Sequence, residues 1–339
     1  MTNPLLKKSL FKPLKQLPES ENDHHLHLSY WQDVWRRFKK NHLAIIGMIS
    51  LCILILLAIF APMLTPYTYY ETNLEMKNQS SLYNQSIICD LTLPWVPEAQ
   101  NKDNILERYY KSKFGFVSLS VGVERMNTKQ TIEYIKQVKK YIKKNKNYVF
   151  AENITTIRNA KNSNKLSLGF HFQGSEMLGG KVSNVKVFYD LGIRHMLLAK
   201  DYRSKAADGC FEPSNAGLSL YGRSLIKEMN RVGMIVDLTH TGYKSSIEAI
   251  ELSTKPVIFS HSNPYKLRKT NRNIKDDQIK KCAKSGGLIG IVGFGHFLKN
   301  NDISPENFYN NIEYICNLVG PKHVGLGLDY VYYQKQFLK

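Results

Sequence analysis

Short apolar runs alternate with amphipathic segments along most of the chain. The runs lack polar alternation, which is typical of strands that are buried on both faces of a parallel sheet. Eight runs are predicted as strands: Ile87–Leu91, Phe116–Ser120, Leu166–Phe172, His195–Ala199, Met234–Leu238, Val257–Phe259, Leu288–Val292 and Val324–Leu328. The segments with helical spacing are Asp103–Ser112, Thr128–Lys143, Val182–Leu191, Leu218–Val232, Tyr243–Ser253, Lys275–Ser285 and Pro305–Val319.

This alternation over about 250 residues predicts a (β/α)8 TIM-like barrel of the α/β class at residues 87–339. A doubly wound open sheet is the alternative, but no glycine-rich phosphate-binding sequence follows the first strand. The chain stops ten residues after Asp329, where a last helix would cover the eighth strand. We therefore expect the barrel to be incomplete at its C-terminus.

A different pattern precedes the barrel. Residues 1–29 are polar and aperiodic, which predicts a disordered tail. Residues 30–66 combine an aromatic and basic start, YWQDVWRRFKK, with Leu43–Leu64, which is 22 residues without a charge. At about 1.5 Å per residue this run is long enough to cross a bilayer, so we predict one transmembrane helix and a linker at 67–86.

Two other interpretations of the apolar run fit less well. A buried core helix is disfavoured by its length and by flanking tryptophans, and a cleaved signal peptide by the long polar region before it. More basic residues precede the run than follow it. The four before it are Arg36, Arg37, Lys39 and Lys40, against Lys77 with Glu71 and Glu75 after it. The positive-inside rule then predicts a single-pass protein of the cell (inner) membrane, with a cytoplasmic N-terminus and an extracytoplasmic barrel.

The formal net charge of +19 does not by itself indicate nucleic acid. The lysines are scattered, and no zinc-finger spacing, basic helix or RNA-binding signature accompanies them, so no nucleic-acid partner is expected. Attraction to anionic lipid is a secondary interpretation. The five cysteines form no CxxC pair, which argues against a disulfide scaffold.

Two histidines stand at the ends of neighbouring predicted strands. His240 follows Met234–Leu238 and His261 follows Val257–Phe259, and Tyr243–Ser253 forms the helix between them. A right-handed crossover brings the ends of two such strands together at the edge where barrel active sites lie. Two imidazoles there can bind zinc, although loop-capping histidines would give the same pattern. Other polar residues follow the remaining strands: Asp90, Thr92, Gln173, Lys200, Asp201 and Asp329.

Four ordered motifs, DLTHTGY, PVIFSHSN, RNIKDDQI and HVGLGLDY, resemble the membrane (renal-type) dipeptidase family of zinc metallopeptidases. GLSLYGRSLIKEMNRVG strengthens the resemblance, which extends from about Ile87 to the end. It implies a (β/α)8 barrel, a pair of zinc ions and hydrolysis of dipeptides. It also implies that His240 and His261 hold one zinc, that Arg272 recognises the substrate carboxylate, and that Asp329 handles the catalytic proton.

The other half of the site departs from that family's pattern. Asp90 and Thr92 stand where the family has the ligands H-x-D, Gln173 replaces the bridging glutamate, and Lys200 replaces a substrate-polarising histidine. A neutral amide offsets no repulsion between two dications. We expect Asp90 and Gln173 to be weak metal ligands, Lys200 to contact substrate, and one zinc ion to bind, with two as the alternative. A shifted register would bring Glu176 to the position of Gln173 instead.

Residues 28–75 resemble the N-terminal segment of permease subunits of oligopeptide/dipeptide ABC importers, but no second apolar run of 18 residues follows. The sequence thus predicts a membrane-anchored, metal-dependent dipeptidase whose activity is reduced if the altered half-site is ineffective. A non-catalytic peptide-binding or peptide-import component is the alternative, and a non-functional fusion is a third. The expected partners are a dipeptide and the lipid bilayer; a homodimer and transporter subunits stay open.

Overall fold

A computed structural model describes residues 30–64, 80–95 and 104–330. The predicted tail, most of the predicted linker and residues 331–339 lie outside this part. Contacts divide the chain into two units, residues 1–75 and 76–339. The first contains helices α1 (Tyr30–Lys40) and α2 (His42–Leu64). Side chains of α2 are described over only part of its length, and no helix among the described residues is long and apolar enough to cross a membrane.

The second unit is built on a parallel sheet. Its strands, β1 to β9, are Cys89–Pro94, Phe116–Val123, Tyr148–Phe150, Leu166–Gln173, Ile193–Leu197, Ile235–Asp237, Ile258–Phe259, Leu288–Ile291 and Val324–Leu326. All strands except β3 form a closed ring, in which β2 pairs with β4 and β9 pairs with β1. This closure confirms the predicted barrel and excludes the open sheet.

The short strand β3 was not predicted. Tyr148–Phe150 pairs only with the first residues of β4, and β5 pairs with β4 from Phe170 onward. The two short partners thus share one edge of a longer strand. Three residues are too few to establish a strand period, which is why the sequence pattern did not reveal β3.

The helices α3 to α11 are Ser80–Gln85, Ile105–Lys111, Thr128–Lys144, Ile154–Asn162, Asn184–Asp190, Leu220–Val232, Tyr243–Leu252, Asp276–Lys284 and Pro305–Val319. All seven predicted helices of the barrel are present. Helices α5 and α11 begin at residues that the local sequence favours as caps: Asn127 and Gln130 form a capping box on α5, and Ser304 caps α11 before Pro305. The unpredicted α6 buries only Ala160, so it lacks a clear apolar face.

Two glycines allow the backbones of β8 and β9 to approach the segment that carries His261. A Cβ atom at Gly290 would lie 2.0 Å from the Ser260 carbonyl oxygen, and one at Gly327 would lie 1.8 Å from it. No other residue fits such a contact, because real side chains do not approach a backbone oxygen so closely. The position of His261 is therefore fixed by backbone packing as well as by its own hydrogen bonds.

Candidate active site

The two predicted metal-binding histidines meet at the carboxyl end of the barrel. His240 lies three residues after β6 and His261 lies two residues after β7, and their Nε2 atoms are 3.1 Å apart. Two zinc–nitrogen bonds of about 2.0–2.1 Å at a tetrahedral angle place the nitrogens roughly 3.3 Å apart. The separation therefore fits a shared ion, as predicted from the strand ends.

The other ring nitrogen of each histidine is already engaged. His240 Nδ1 lies 2.7 Å from Asp201 Oδ1, and His261 Nδ1 lies 3.0 Å from Thr92 Oγ1 and 2.8 Å from Ser260 Oγ. If each Nδ1 carries its proton toward these oxygens, the two Nε2 lone pairs face a common point. A cation at that point would remove the repulsion between them.

Burial keeps both imidazoles neutral. It lowers the pKa of His240 to about 4, with the Arg272 charge acting in the same direction. Burial and the same arginine lower the pKa of His261 well below its ordinary value. Neutral imidazole is the form that binds a metal, so the pair is in its ligand form at neutral pH.

Backbone strain accompanies the first histidine. His240 and its partner Asp201 adopt left-handed φ values of +63° and +59°, which residues with a Cβ atom rarely do. Strain of this kind persists where the surrounding structure requires it, often at functional sites. Asp201, which the sequence placed at the rim without a role, is thus the residue that orients His240.

Asp90 and Thr92 lie within β1 and contact different groups, and it is Thr92 whose Oγ1 lies 3.0 Å from His261 Nδ1. Asp90 Oδ1 accepts hydrogen bonds from the backbone N–H groups of Thr92 and Leu328, and Oδ2 accepts one from the Tyr109 hydroxyl. Burial raises the pKa of Asp90 to about 6, although these hydrogen bonds lower it. The structure therefore gives Asp90 a clear role in joining β1 to the end of β9.

Gln173 and Lys200 contact each other across the ends of β4 and β5. The Lys200 ammonium donates a hydrogen bond to Gln173 Oε1 over 3.2 Å. Gln173 is the last residue of β4 and pairs with Val123. Glu176 lies beyond the strand in a short 3-10 turn, where its carboxylate accepts from the Lys205 backbone N–H.

Arg272 is a buried cation beside the histidines, with a relative exposure of 2%. It donates to the His261 carbonyl oxygen over 2.8 Å and to Ser262 Oγ over 3.2 Å, and it lies over the Phe297 ring. Its Nε atom is buried and has no hydrogen-bond partner among the described residues. Burial lowers the pKa of Arg272, while the negative charges of Asp329, Asp201 and Asp237 oppose that shift.

Asp329 is half-buried and lies after β9 with a left-handed φ of +50°. Its backbone N–H donates to the Thr92 carbonyl oxygen, which fixes it against the end of β1. Burial raises the pKa of its carboxyl group, while the Arg272 and Lys200 charges oppose the shift. A carboxylate with a raised pKa is a better proton acceptor than an ordinary one.

The described residues contain no cluster of three or more His, Cys, Asp and Glu side chains that is arranged to hold a metal ion. The histidine pair consequently supplies two of the protein donors that a divalent ion would need. The other predicted ligands, Asp90 and Gln173, are each hydrogen-bonded to protein groups instead.

Comparison with known families decides the relationship. The family model of the membrane dipeptidases (peptidase family M19) matches residues 95–336. This chain belongs to the membrane dipeptidase family. A second model, the N-terminal transmembrane domain of oligopeptide transport permease C, matches residues 29–84. Both resemblances noted in the sequence are thereby confirmed.

Individual relatives of this membrane dipeptidase family member match about half of it. The dipeptidase tcpJ of Claviceps purpurea is 36% identical over 163 residues, which are 47% of this chain and 38% of that protein. The dipeptidase aclJ of Aspergillus oryzae is 33% identical over 163 residues, which are 47% of this chain and 39% of that protein. The chain thus spans about two fifths of the length of these curated relatives.

Solved structures share the fold. An amidohydrolase from Pseudomonas aeruginosa superposes with a TM-score of 0.70 at 30% identity, covering 75% of this chain and 77% of that one. A metallopeptidase from Rhodobacter sphaeroides, solved with a phosphinate mimic of the dipeptide L-Ala-D-Ala, gives a TM-score of 0.64 at 17% identity, covering 72% and 85%. The second likeness shows a common barrel only.

Beneath the rim, the barrel contains a polar network that the sequence analysis missed. Ser118 Oγ lies 2.9 Å from His171 Nδ1 and 3.0 Å from His195 Nε2, and His195 Nδ1 lies 3.0 Å from Asp237 Oδ2. Asp237 Oδ1 accepts from the Ser260 backbone N–H, next to His261. Because these residues lie inside apolar runs, only the alternation of inward and outward positions on β2, β4, β5 and β6 could have revealed them.

Proposed function

We propose that this protein is a metal-dependent dipeptidase. The observation that carries the proposal is the convergence of two neutral imidazole Nε2 atoms, 3.1 Å apart, beside a buried arginine. Family membership over residues 95–336 supports the same reaction class. A metal site next to an anion site suits a short peptide, whose scissile bond lies close to its terminal carboxylate.

In this proposal each group of the chain has one task. His240 and His261 hold a divalent ion, for which imidazole nitrogens favour zinc. The chemistry that such an ion supplies is polarisation of water and of the scissile carbonyl. Arg272 binds the substrate carboxylate and so places the peptide bond beside the histidine pair. Asp329 accepts the proton of the attacking water and returns it to the leaving amine.

Metal content and peptide hydrolysis of the purified full chain test this function. We expect about one zinc ion per chain and release of free amino acids from a panel of dipeptides, with both lost after chelation and restored by zinc. A matched panel of N-acetylated tripeptide amides should be resistant, because they offer no carboxylate to Arg272. Folded protein that binds no divalent ion, or that cleaves none of the dipeptides, would contradict the proposal.

We also propose that the N-terminal unit anchors the enzyme in the membrane as a single pass. The match of residues 29–84 to a transmembrane domain of an oligopeptide permease supports this, as does the charge-free run Leu43–Leu64. Basic residues before that run favour a cytoplasmic N-terminus and an external barrel.

Reporter fusions test the topology. A fusion at position 20 is expected to report the cytoplasm, and one at position 80 the outside of the cell membrane, because four basic residues precede the apolar run. Replacing these four residues by glutamine should weaken or invert the orientation, whereas the same change at four exposed lysines of α5 should not. Cytoplasmic signals from both fusions would be incompatible with an external peptidase.

The permease-like segment favours one second candidate function. In this second function, the barrel binds peptides without cleaving them, and the N-terminal unit docks with transporter subunits in a peptide importer. This candidate predicts tight dipeptide binding with no hydrolysis in the presence of zinc. The dipeptide panel therefore separates it from the dipeptidase function.

A further inference from the structure

The strand ends next to the histidine pair, those of β4 and β5, hold an internal cation. Gln173 ends β4 with a relative exposure of 5%, and the half-buried Lys200 stands three residues after β5. The Lys200 ammonium donates to Gln173 Oε1 over 3.2 Å, so the amide carbonyl receives a positive charge from within the chain. A glutamine is suited to this contact, because its oxygen accepts without adding a charge.

Two other polar residues of the rim, Asp90 and Thr92, already make contacts with protein groups. Both carboxylate oxygens of Asp90 are occupied by three donors, and Thr92 Oγ1 lies against His261 Nδ1. Neither residue thus presents an unengaged oxygen to a second ion. The last residue of β4 is Gln173, whose side chain carries no charge with which to bridge two ions.

Lys200 stands beside the histidine pair along the rim. It immediately precedes Asp201, whose Oδ1 lies 2.7 Å from His240 Nδ1, and it follows β5, which pairs with β6, the strand before His240. A fixed positive charge on this neighbouring strand end can stabilise developing negative charge, as a second metal ion would.

We propose that the Lys200 ammonium, held by Gln173, takes the place of a second metal ion, so that the site works with one ion at His240 and His261. The inference rests on the proposed metal-dependent function and concerns the second cation only. A fixed ammonium offsets developing negative charge without needing ligands, and it repels a further dication from the same pocket. The presence of glutamine rather than glutamate at position 173 and the presence of lysine at position 200 then depend on each other.

The number of metal ions bound per chain tests whether Gln173 and Lys200 act together, and it requires no measurement of activity. Elemental analysis and calorimetric zinc titration should give about one ion per chain for the natural protein and for Gln173→Glu, because the new carboxylate pairs with Lys200. The double variant Gln173→Glu/Lys200→Met should take up a second ion, since a carboxylate is then present without the ammonium. Gln173→Glu/Lys200→Arg keeps the charge and should stay at one.

Controls separate this outcome from general effects of charge. The double variant Gln137→Glu/Lys227→Met makes the same chemical changes at exposed positions of α5 and α8 and should stay at one ion. Circular dichroism checks folding, and Gln173→Glu/Lys200→Gln provides a second charge-free variant if the methionine variant is unfolded.

Three results would overturn the proposal: two ions in the natural protein, two ions in Gln173→Glu alone, or a single ion in both charge-free double variants. Failure of the metal-dependent function looks different. In that case the natural protein binds no ion at all, and His240→Ala leaves zinc titrations unchanged.

Discussion

Replacing His261 by alanine is expected to abolish stoichiometric zinc binding and to lower dipeptide hydrolysis by more than about 100-fold. Loss of a group that merely orients a metal ligand costs about 10–100-fold, and loss of a ligand itself should cost more. The effect should be larger than for most histidines, because only two imidazoles converge here and their Nε2 atoms are 3.1 Å apart. Zinc titration and initial rates with a dipeptide measure it.

A histidine at the opposite end of the barrel gives the matched control. His323 lies before β9 and contacts the Gly287 carbonyl oxygen through Nδ1, far along the strand from the rim. His323→Ala should reduce stability modestly and leave zinc binding intact. Normal zinc stoichiometry in folded His261→Ala would show that the metal binds elsewhere, and the assignment of both histidines would then be wrong.

Replacing Arg272 by methionine is expected to lower kcat/KM for dipeptides roughly 30- to 5,000-fold, a loss of about 2–5 kcal/mol of transition-state stabilisation, with zinc binding retained. Arg272 is 2% exposed, and its Nε has no hydrogen-bond partner among the described residues, so an incoming carboxylate gains a strong, desolvated contact. Steady-state kinetics with a dipeptide and with its C-terminal amide measure the effect.

The amide makes this test specific. The natural protein should prefer the free carboxylate strongly, while Arg272→Met should treat the two substrates almost alike. Arg231→Met provides the control, because Arg231 pairs only with Glu228 on the surface of α8. If Arg272→Met retained the preference for the carboxylate, substrate recognition would have to come from another cation.

The barrel itself could be predicted from the order of apolar runs. Unbroken runs such as Leu166–Phe172 have the composition of strands covered on both faces, and the helical spacing between them leaves a parallel sheet as the natural solution. The observed strand ends differ from the predicted ones by a few residues, because hydrogen bonding rather than hydrophobicity sets them. Strand β3 was not predicted because it is too short to show a period, and helix α6 was not predicted because it buries almost no side chains.

The sequence also predicted which residues reach the rim, because side chains after parallel strands share one edge. It could not decide which of them face each other. Asp90 and Thr92 are two residues apart, yet one is tied to Tyr109 and Leu328 and the other to His261. That difference depends on how β1 is inserted between β2 and β9, which local pattern does not contain.

By itself, then, the sequence determined the order of the eight ring strands and of the seven predicted helices, and the position of the histidine pair at neighbouring strand ends. The tertiary structure alone decided that Asp201 orients His240, that Ser118, His195 and Asp237 connect beneath the site, and that Lys200 contacts Gln173. The physical reason is that periodicity reports which face of an element is buried. Hydrogen bonds between elements depend on register, strand twist and closure of the ring, which are set only when all eight strands pack together.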